Sequence, residues 1–290
     1  MQSAGFEPLA GALPRSSTRV QKATEQLFDR PGSRDLLTLR QIPVQEVLQA
    51  SLELSGVITP PGQVHTPANL VWNPVSDGDV VAEQDFSGWA PNVPVMLGSV
   101  ENEARYFIKP TGTYTRDTVV QMARVLSGPR SRDVLALFDR TGGTWYEALD
   151  RLITTAIWTE PALATLKRFD QQGRRVYAYH FARVAPDGRR TGELAKHTSE
   201  IRYVFGNLVP TDAYNAVDAD ISRAMQGAWI EFGRTGVPCN PDGSPWPCYD
   251  RTAPFLTWIE DEMTSPPLVI DELTTLIHSL RMEDDQDKSH

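Results

Sequence analysis

Two strand-forming runs separated by mostly helical sequence limit the fold of this chain more than any other feature. Val93–Leu97 is short and apolar, and Arg175–Phe181 is rich in residues that favour strands. Between them, apolar residues recur with helical spacing in three stretches, Asp117–Leu126, Tyr146–Trp158 and Pro161–Gln172. Because two strands joined by a long helical crossover pair in parallel in most folds, the sequence predicts an α/β fold.

The rest of the sequence predicts one domain followed by a short tail. Residues 57–92 are rich in Pro, Gly, Asn and Asp, which favours a loop. We find no convincing linker, so we assign residues 1–282 to a single α/β domain and the acidic residues 283–290 to a disordered tail. Helical periodicity is also present in three further segments: Pro43–Leu54, Ile221–Phe232 and Asp271–Leu280.

Composition and charge argue against several classes of function. The 290 residues include 28 Lys and Arg against 37 Asp and Glu, which gives a net charge of −9. A chain this acidic repels phosphate, so we expect neither nucleic acid nor a membrane as a partner. No apolar run approaches the length of a membrane span, and no secretory signal is visible, which makes the cytoplasm the default location.

We expect neither a metal site nor a cofactor. The chain has two cysteines, Cys239 and Cys248, and none of the His or Cys spacings typical of zinc sites. The two thiols bracket a turn that contains Pro and Gly, so they are either free or joined in a disulfide.

Two segments that follow the predicted strands carry the functional argument. The first is Val93–Phe107, with the sequence VPVMLGSVENEARYF, and the second is Ala195–Gly206, with the sequence AKHTSEIRYVFG. Together they resemble the type-B carboxylesterase family, the cholinesterase-like branch of the α/β-hydrolases. This resemblance implies that the chain is the C-terminal half of an α/β-hydrolase fold. Further matches lie in family order at residues 39–48, 73–79, 176–181 and 232–249.

The resemblance implies two catalytic residues and one supporting residue. In the family, a Glu shortly after the Gly that ends a strand is the triad acid. Here that position is Glu103, and Ala104 stands where the family has Gly. The pattern His-x-x-Glu-Ile-x-Tyr-Val-Phe-Gly marks His197 as the general base and Glu200 as a support for the histidine loop. The acid precedes the histidine, which is the order along the chain in α/β-hydrolases.

The serine nucleophile of the family is not found in this chain. Met1–Ser3 resembles the end of the family's sixth strand, and the 290 residues contain no Gly-x-Ser-x-Gly nucleophile elbow. The resemblance therefore implies that the serine and the oxyanion loop lie outside this chain. Without them, we expect no esterase turnover from the chain alone.

Three interpretations remain open. The first is a carboxylic ester hydrolase fragment or subunit that acts on a small carboxylic ester when a separate N-terminal half supplies the serine. The second is a non-catalytic, cholinesterase-like binding module, and the third is a truncated gene product with no independent role. The presence of both Glu103 and His197 favours the first. An apolar strand at Val93–Leu97 would then have a bare edge, so we expect the chain to be unstable alone or to dock onto that half.

Overall fold

A computed structural model describes residues 2–3, 17–30, 32–55, 71–72, 75, 79, 93–209 and 211–287. The chain forms two compact units, one of Gly11–Trp89 and one of Met1–Ala10 with Ala90–His290. Compactness does not show that a unit folds independently, so the single domain over residues 1–282 stays a prediction. The predicted loop over residues 57–92 lies almost entirely outside the described residues.

The smaller unit contains three described helices, which are α1 (Ser17–Asp29), α2 (Leu36–Leu39) and α3 (Val44–Leu54). The last of these confirms the helix predicted over Pro43–Leu54, with Pro43 at its N-cap. The apolar side chains that recur with helical spacing along α3 stay exposed, since Val44 is 60% and Leu48 is 62% solvent-accessible. Periodicity therefore identified the helix but did not identify a buried face.

The larger unit contains both strands and helices. In chain order they are β1 (Val95–Val100), a 3₁₀ turn (Glu103–Tyr106), α4 (Arg116–Ser127), a second 3₁₀ turn (Gly128–Arg130), α5 (Ser131–Thr141), α6 (Trp145–Thr154), a π-helical turn (Thr155–Thr159), α7 (Glu160–Gln171), β2 (Val176–Phe181), α8 (Pro186–Thr191), α9 (Ile201–Val204), α10 (Ala216–Thr235), β3 (Thr257–Ile259), β4 (Met263–Thr264) and α11 (Glu272–Asp287). Across the described residues, no helix is long and apolar enough to span a bilayer.

The strands form one sheet in the order β1-β2-β3-β4. Strands β1, β2 and β3 are parallel, with Val95 opposite Val176, and β4 runs antiparallel to β3. The predicted parallel pair and the α/β fold are therefore confirmed. At its outer edge β1 meets Gln2 in a bridge to Gly98, and no other described strand pairs with this edge.

Strand β1 begins and ends later than the predicted run Val93–Leu97. Pro94 has no N–H to donate to a neighbouring strand, so the strand begins only at Val95. Gly98 does not end the strand, because its missing side chain makes room for the Tyr179 ring of β2. A Cβ atom on Gly98 would lie 2.4 Å from that ring. The glycine is thus a packing requirement inside the sheet.

The crossover between β1 and β2 contains one helix more than the sequence predicts. Gly128 and Pro129 indicate a turn, and the structure has a 3₁₀ turn over Gly128–Arg130. Helix α5 follows it directly and buries Val134, Leu137 and Phe138. Because turn-forming residues lie directly before α5, the sequence pattern did not predict this short amphipathic helix.

Three other helices differ from their predicted limits. The helix predicted over Tyr146–Trp158 ends as α6 at Thr154 and continues as the π-helical turn. Helix α10 begins before Ile221, because Asn215 caps it and exchanges hydrogen bonds with Asp218. Helix α11 continues to Asp287, so residues 283–287 of the predicted disordered tail are helical.

Buried side chains cover both faces of the sheet. On one face, Met96 and Tyr179 lie in a cluster with Met225 of α10. On the other face, Leu97 lies in a cluster with Leu166 of α7. Since successive residues of a strand point to opposite faces, this packing fixes the register of β1 and β2. The loops that follow these strands therefore start from a rigid base.

Candidate active site

The residues predicted to be catalytic lie on two loops beyond the carboxyl ends of β1 and β2. The turn Glu103–Tyr106 follows β1, and His197 lies between α8 and α9, downstream of β2. Backbone contacts join the loops, because the Asn102 N–H donates to the Ala195 carbonyl at 2.9 Å and Asn102 forms a bridge with Lys196. The fold thus brings together residues that are far apart in sequence.

Glu103 and His197 form a hydrogen-bonded pair. The imidazole Nδ1 lies 2.5 Å from Glu103 Oε2, and Glu103 Oε1 accepts the Val100 N–H at 3.0 Å. The Glu103 side chain is fully buried, whereas the His197 side chain is 25% exposed. Because a carboxylate only accepts hydrogen bonds, Nδ1 carries the proton between the two groups. Nε2 is then the ring nitrogen that can exchange a proton.

Glu103 makes the imidazole a stronger base. Burial disfavours the charged ring and by itself lowers the pKa of His197, but the hydrogen bond and negative charge of Glu103 outweigh it. Glu200 acts in the same direction as Glu103. The pKa of His197 is therefore raised above the ordinary histidine value, and a proton taken up by the ring is stabilised.

The histidine loop holds two residues in the left-handed backbone region. Leu194 has a φ of 50° and Thr198, directly after His197, has a φ of 74°. This region costs residues other than glycine free energy, so the surrounding contacts must hold the loop in place. One such contact is the Ser199 N–H, which donates to the Lys196 carbonyl at 2.9 Å. Strain of this kind is common next to functional sites.

Glu200, predicted to support the histidine loop, is 1% exposed and precedes α9. Burial raises the pKa of Glu200 to about 7, and the charge of Glu103 adds to the shift. Its Oε2 has no hydrogen-bond partner among the described residues. Its backbone carbonyl accepts the N–H groups of Tyr203 and Val204, each at 3.0 Å. The structure thus places Glu200 near the pair, and its supporting role stays a prediction.

Three aromatic rings surround the imidazole, and the sequence analysis did not assign them to the site. The ring centroids of Tyr106, Phe107 and Trp158 lie 5.8, 5.7 and 5.7 Å from that of His197. Tyr106 and Phe107 follow Glu103 closely in the chain, and this proximity was the available sequence signal. Rings packed this way exclude water from the Glu103–His197 bond, which strengthens the bond.

A buried carboxylate also belongs to the surroundings of the pair and was not predicted. Asp150 of α6 is 2% exposed and accepts hydrogen bonds from Asn102 and Arg105, on either side of Glu103. In the sequence, Asp150 lies at the edge of an apolar helix face, next to Leu149. A charged residue next to an apolar helix face is unusual, and this was the sequence feature that could have identified Asp150.

The described part of the chain contains no group of three or more His, Cys, Asp or Glu side chains that could hold a metal ion. Cys239 and Cys248 are both free thiols. Of the two states left open by the sequence, the structure therefore has the unbridged one. The Cys248 thiol donates to the Val176 carbonyl at 3.3 Å.

The chain is similar to a known protein family and to known esterases. The model of the carboxylesterase family matches residues 14–272. Fumonisin B1 esterase of Sphingopyxis macrogoltabida is 24% identical over 89% of this chain and 52% of its own length. Carboxylesterase 5A of Mus musculus is 32% identical over 33% of this chain and 18% of its own length.

A solved structure titled PNB esterase superposes on 91% of this chain and 55% of its own length, with a TM-score of 0.69 and 19% sequence identity. This likeness confirms the α/β-hydrolase fold. The chain spans about half, or less, of the length of the curated relatives compared above. Since the family model covers most of the 290 residues, this chain belongs to the carboxylesterase family of the α/β-hydrolase superfamily.

Proposed function

We propose that this chain is the part of a carboxylic ester hydrolase that supplies the acid and the base of a catalytic triad. Glu103 is the acid, and His197 is the general base. The observation that carries the proposal is the 2.5 Å contact between His197 Nδ1 and Glu103 Oε2, in a chain of the carboxylesterase family. The substrate is a small carboxylic ester, as the esterase names of the relatives suggest.

The geometry supports one division of labour between the two residues. Glu103 holds the Nδ1–H, so Nε2 takes the proton from a serine hydroxyl as that hydroxyl attacks the ester carbonyl. The imidazolium then gives this proton to the departing alkoxide, which leaves as the alcohol. Water hydrolyses the acyl-serine in the same way. Glu103 stays ionised throughout and stabilises the positive ring, in agreement with the raised pKa of His197.

The serine must come from sequence outside these 290 residues, which contain no Gly-x-Ser-x-Gly elbow. It is supplied by an N-terminal half, either as a separate partner or as part of a longer chain. Loss of the nucleophile from a serine hydrolase lowers kcat on the order of 10⁶-fold. The 290-residue chain alone therefore shows no turnover above background. We also propose that Glu200 supports the loop that carries His197.

Complementation tests this proposal. The purified chain is mixed with a separately expressed segment of para-nitrobenzyl esterase of Bacillus subtilis, a relative 23% identical over 67% of this chain. The segment precedes the region matched by this chain and is chosen to contain a Gly-x-Ser-x-Gly elbow. Hydrolysis of a p-nitrophenyl ester is then measured. We expect no turnover from the chain alone and measurable turnover from the mixture. His197→Gln should lower kcat about 10⁶-fold and Glu103→Gln about 10⁴-fold.

Glu101→Gln is the matched control for this experiment. Glu101 lies two positions before Glu103 and also contacts an imidazole, with Oε2 at 2.5 Å from His180 Nε2. We expect this variant to keep the turnover of the complemented mixture. Three results would contradict the proposal: no turnover from the mixture, hydrolysis by the chain alone that a fluorophosphonate inhibits, or complemented turnover that survives His197→Gln.

A further inference from the structure

One buried carboxylate ties down the residues on both sides of Glu103. Asp150 Oδ2 accepts hydrogen bonds from Asn102 Nδ2 at 2.9 Å and from Arg105 Nε at 2.5 Å. Its other oxygen, Oδ1, accepts the Thr154 hydroxyl at 3.2 Å. Asp150 is 2% exposed and Arg105 is 8% exposed, so water competes little for these bonds.

The same network holds the backbone immediately after Glu103. The Ala104 N–H donates to Thr154 Oγ1 at 3.1 Å, and the Thr154 hydroxyl in turn donates a hydrogen bond to Asp150 Oδ1. Residues 102, 104 and 105 are therefore all anchored to helix α6, and Glu103 lies between them. The turn has little freedom to rotate the Glu103 carboxylate away from its present direction.

The network also reaches the loop that leads to His197. Arg105 Nη1 donates to the Gly192 carbonyl at 2.7 Å, and the Asn102 N–H donates to the Ala195 carbonyl at 2.9 Å. Asn102 and Arg105, which both bond Asp150 Oδ2, thus also bond the loop that leads to His197. One anchor on α6 sets the relative position of the two loops.

We infer that Asp150, together with Thr154, is a positioning residue that holds the Glu103 carboxylate against His197 Nδ1. The hydrogen bonds of Asp150 go to neither member of the pair, and Asp150 acts through Asn102, Arg105 and, by way of Thr154, Ala104. The inference rests on the proposed roles of Glu103 and His197. A buried ion pair contributes little net stability compared with apolar packing. A role in positioning Glu103 explains why Asp150 of α6 forms such a pair with Arg105.

The test measures the hydrogen bond itself and does not depend on turnover. Proton NMR detects the ring N–H of an imidazole bonded to a carboxylate as a resonance far downfield. The signal of His197 is assigned from its loss in His197→Gln. The pair of His278 Nδ1 and Glu160 Oε1, which lie 2.8 Å apart, gives a reference resonance from another part of the same molecule.

Two variants weaken the anchor, and a third is the matched control. Asp150→Asn removes the charge, while Thr154→Val removes only a hydroxyl and leaves charge and size almost unchanged. Thr165→Val is the same substitution at a buried threonine of α7, whose hydroxyl donates to the Pro161 carbonyl at 2.8 Å. We expect the His197 resonance to move upfield or disappear in Asp150→Asn and Thr154→Val. Thr165→Val should leave it in place, and the His278 resonance should persist in all three.

Either of two results would overturn the inference. One is an unchanged His197 resonance in both anchor variants. The other is a shift in Asp150→Asn alone, which would show that the charge of Asp150 acts at a distance. Should Asp150→Asn not fold, Thr154→Val decides the question. Failure of the complementation experiment with the expected NMR result would count against the proposed function and not against the positioning role.

Discussion

At the scale of single residues, Glu200 is a buried carboxyl group whose charge the fold compensates only in part. It is 1% exposed, and its Oε2 has no partner among the described residues. Burial raises its pKa to about 7. The folded state therefore binds this proton more tightly than the unfolded state does, and stability is lost as pH rises from about 4 to about 7.

We predict that Glu200→Gln stabilises the chain above pH 7 and has little effect near pH 4. The neutral amide of glutamine removes the free-energy cost of ionising a buried carboxyl group at high pH. The raised pKa of Glu200 corresponds to a cost of about 3 kcal/mol. The measurement is the free energy of unfolding in urea at both pH values. Glu262→Gln, at an exposed carboxyl group, should change neither value. Equal stability of Glu200→Gln and the unmodified chain at pH 8 would show that the carboxyl group is not penalised.

At the scale of elements, β1 and β2 fit together through a glycine. Tyr179 is 1% exposed, and a Cβ on Gly98 would lie 2.4 Å from its ring. The ring also packs edge-on against Trp229, with ring centroids 5.1 Å apart, so moving it away from a new Cβ disturbs that contact. We predict that Gly98→Ala lowers the free energy of unfolding by about 1–3 kcal/mol, measured by urea denaturation.

Gly227→Ala is the control for this substitution. Gly227 lies inside α10, and a Cβ there would meet nothing within 4 Å. Alanine favours a helix over glycine, so the control should be neutral or up to about 1 kcal/mol more stable. A Gly98→Ala variant as stable as the unmodified chain would mean that β1 and β2 pack less closely than described.

A second prediction at this scale concerns the ion pair that joins β2 to the helices α9 and α10. Arg183 Nε donates to Asp218 Oδ1 at 2.7 Å, and these side chains are 5% and 0% exposed. The Tyr203 hydroxyl donates to the same oxygen at 2.7 Å. Asp218→Asn leaves the buried guanidinium without this countercharge and should cost about 3–5 kcal/mol of unfolding free energy.

Asp261 provides the comparison for this pair, because it bonds the same guanidinium but is 69% exposed. Asp261→Asn should cost no more than about 1 kcal/mol, since water screens an exposed ion pair. Both values come from urea denaturation. Similar losses in the two variants would contradict the view that the buried partner holds α9 and α10 against β2.

At the scale of the whole molecule, local sequence patterns predicted the parallel strand pair and several of the helices. Their limits depended on contacts that a local pattern does not contain. Gly98 continues β1 because it faces Tyr179, and α10 begins early because Asn215 and Asp218 bond each other. Helix α3 is a further example, since helical periodicity predicts an apolar face but does not show whether that face is buried.

The candidate site likewise contains residues that the sequence predicted and residues that it did not predict. Motif resemblance picked out Glu103 and His197, and the fold brings them together. The residues around them come from distant parts of the chain, such as Trp158 of the π-helical turn and Asp150 of α6. Their contribution depends on three-dimensional packing, which residue spacing alone does not reveal.

A pH titration of the His197 ring by NMR tests whether Glu103 holds His197 as a base. In the unmodified chain we expect a pKa above the ordinary histidine value. In Glu103→Gln the negative charge of Glu103 is gone, and burial, which is the largest influence on the ring, is opposed only by the smaller effect of Glu200. The pKa of His197 should therefore fall below that value. Glu101→Gln should leave it unchanged. The same His197 titration curve in Glu103→Gln and in the unmodified chain would show that Glu103 does not make His197 a stronger base.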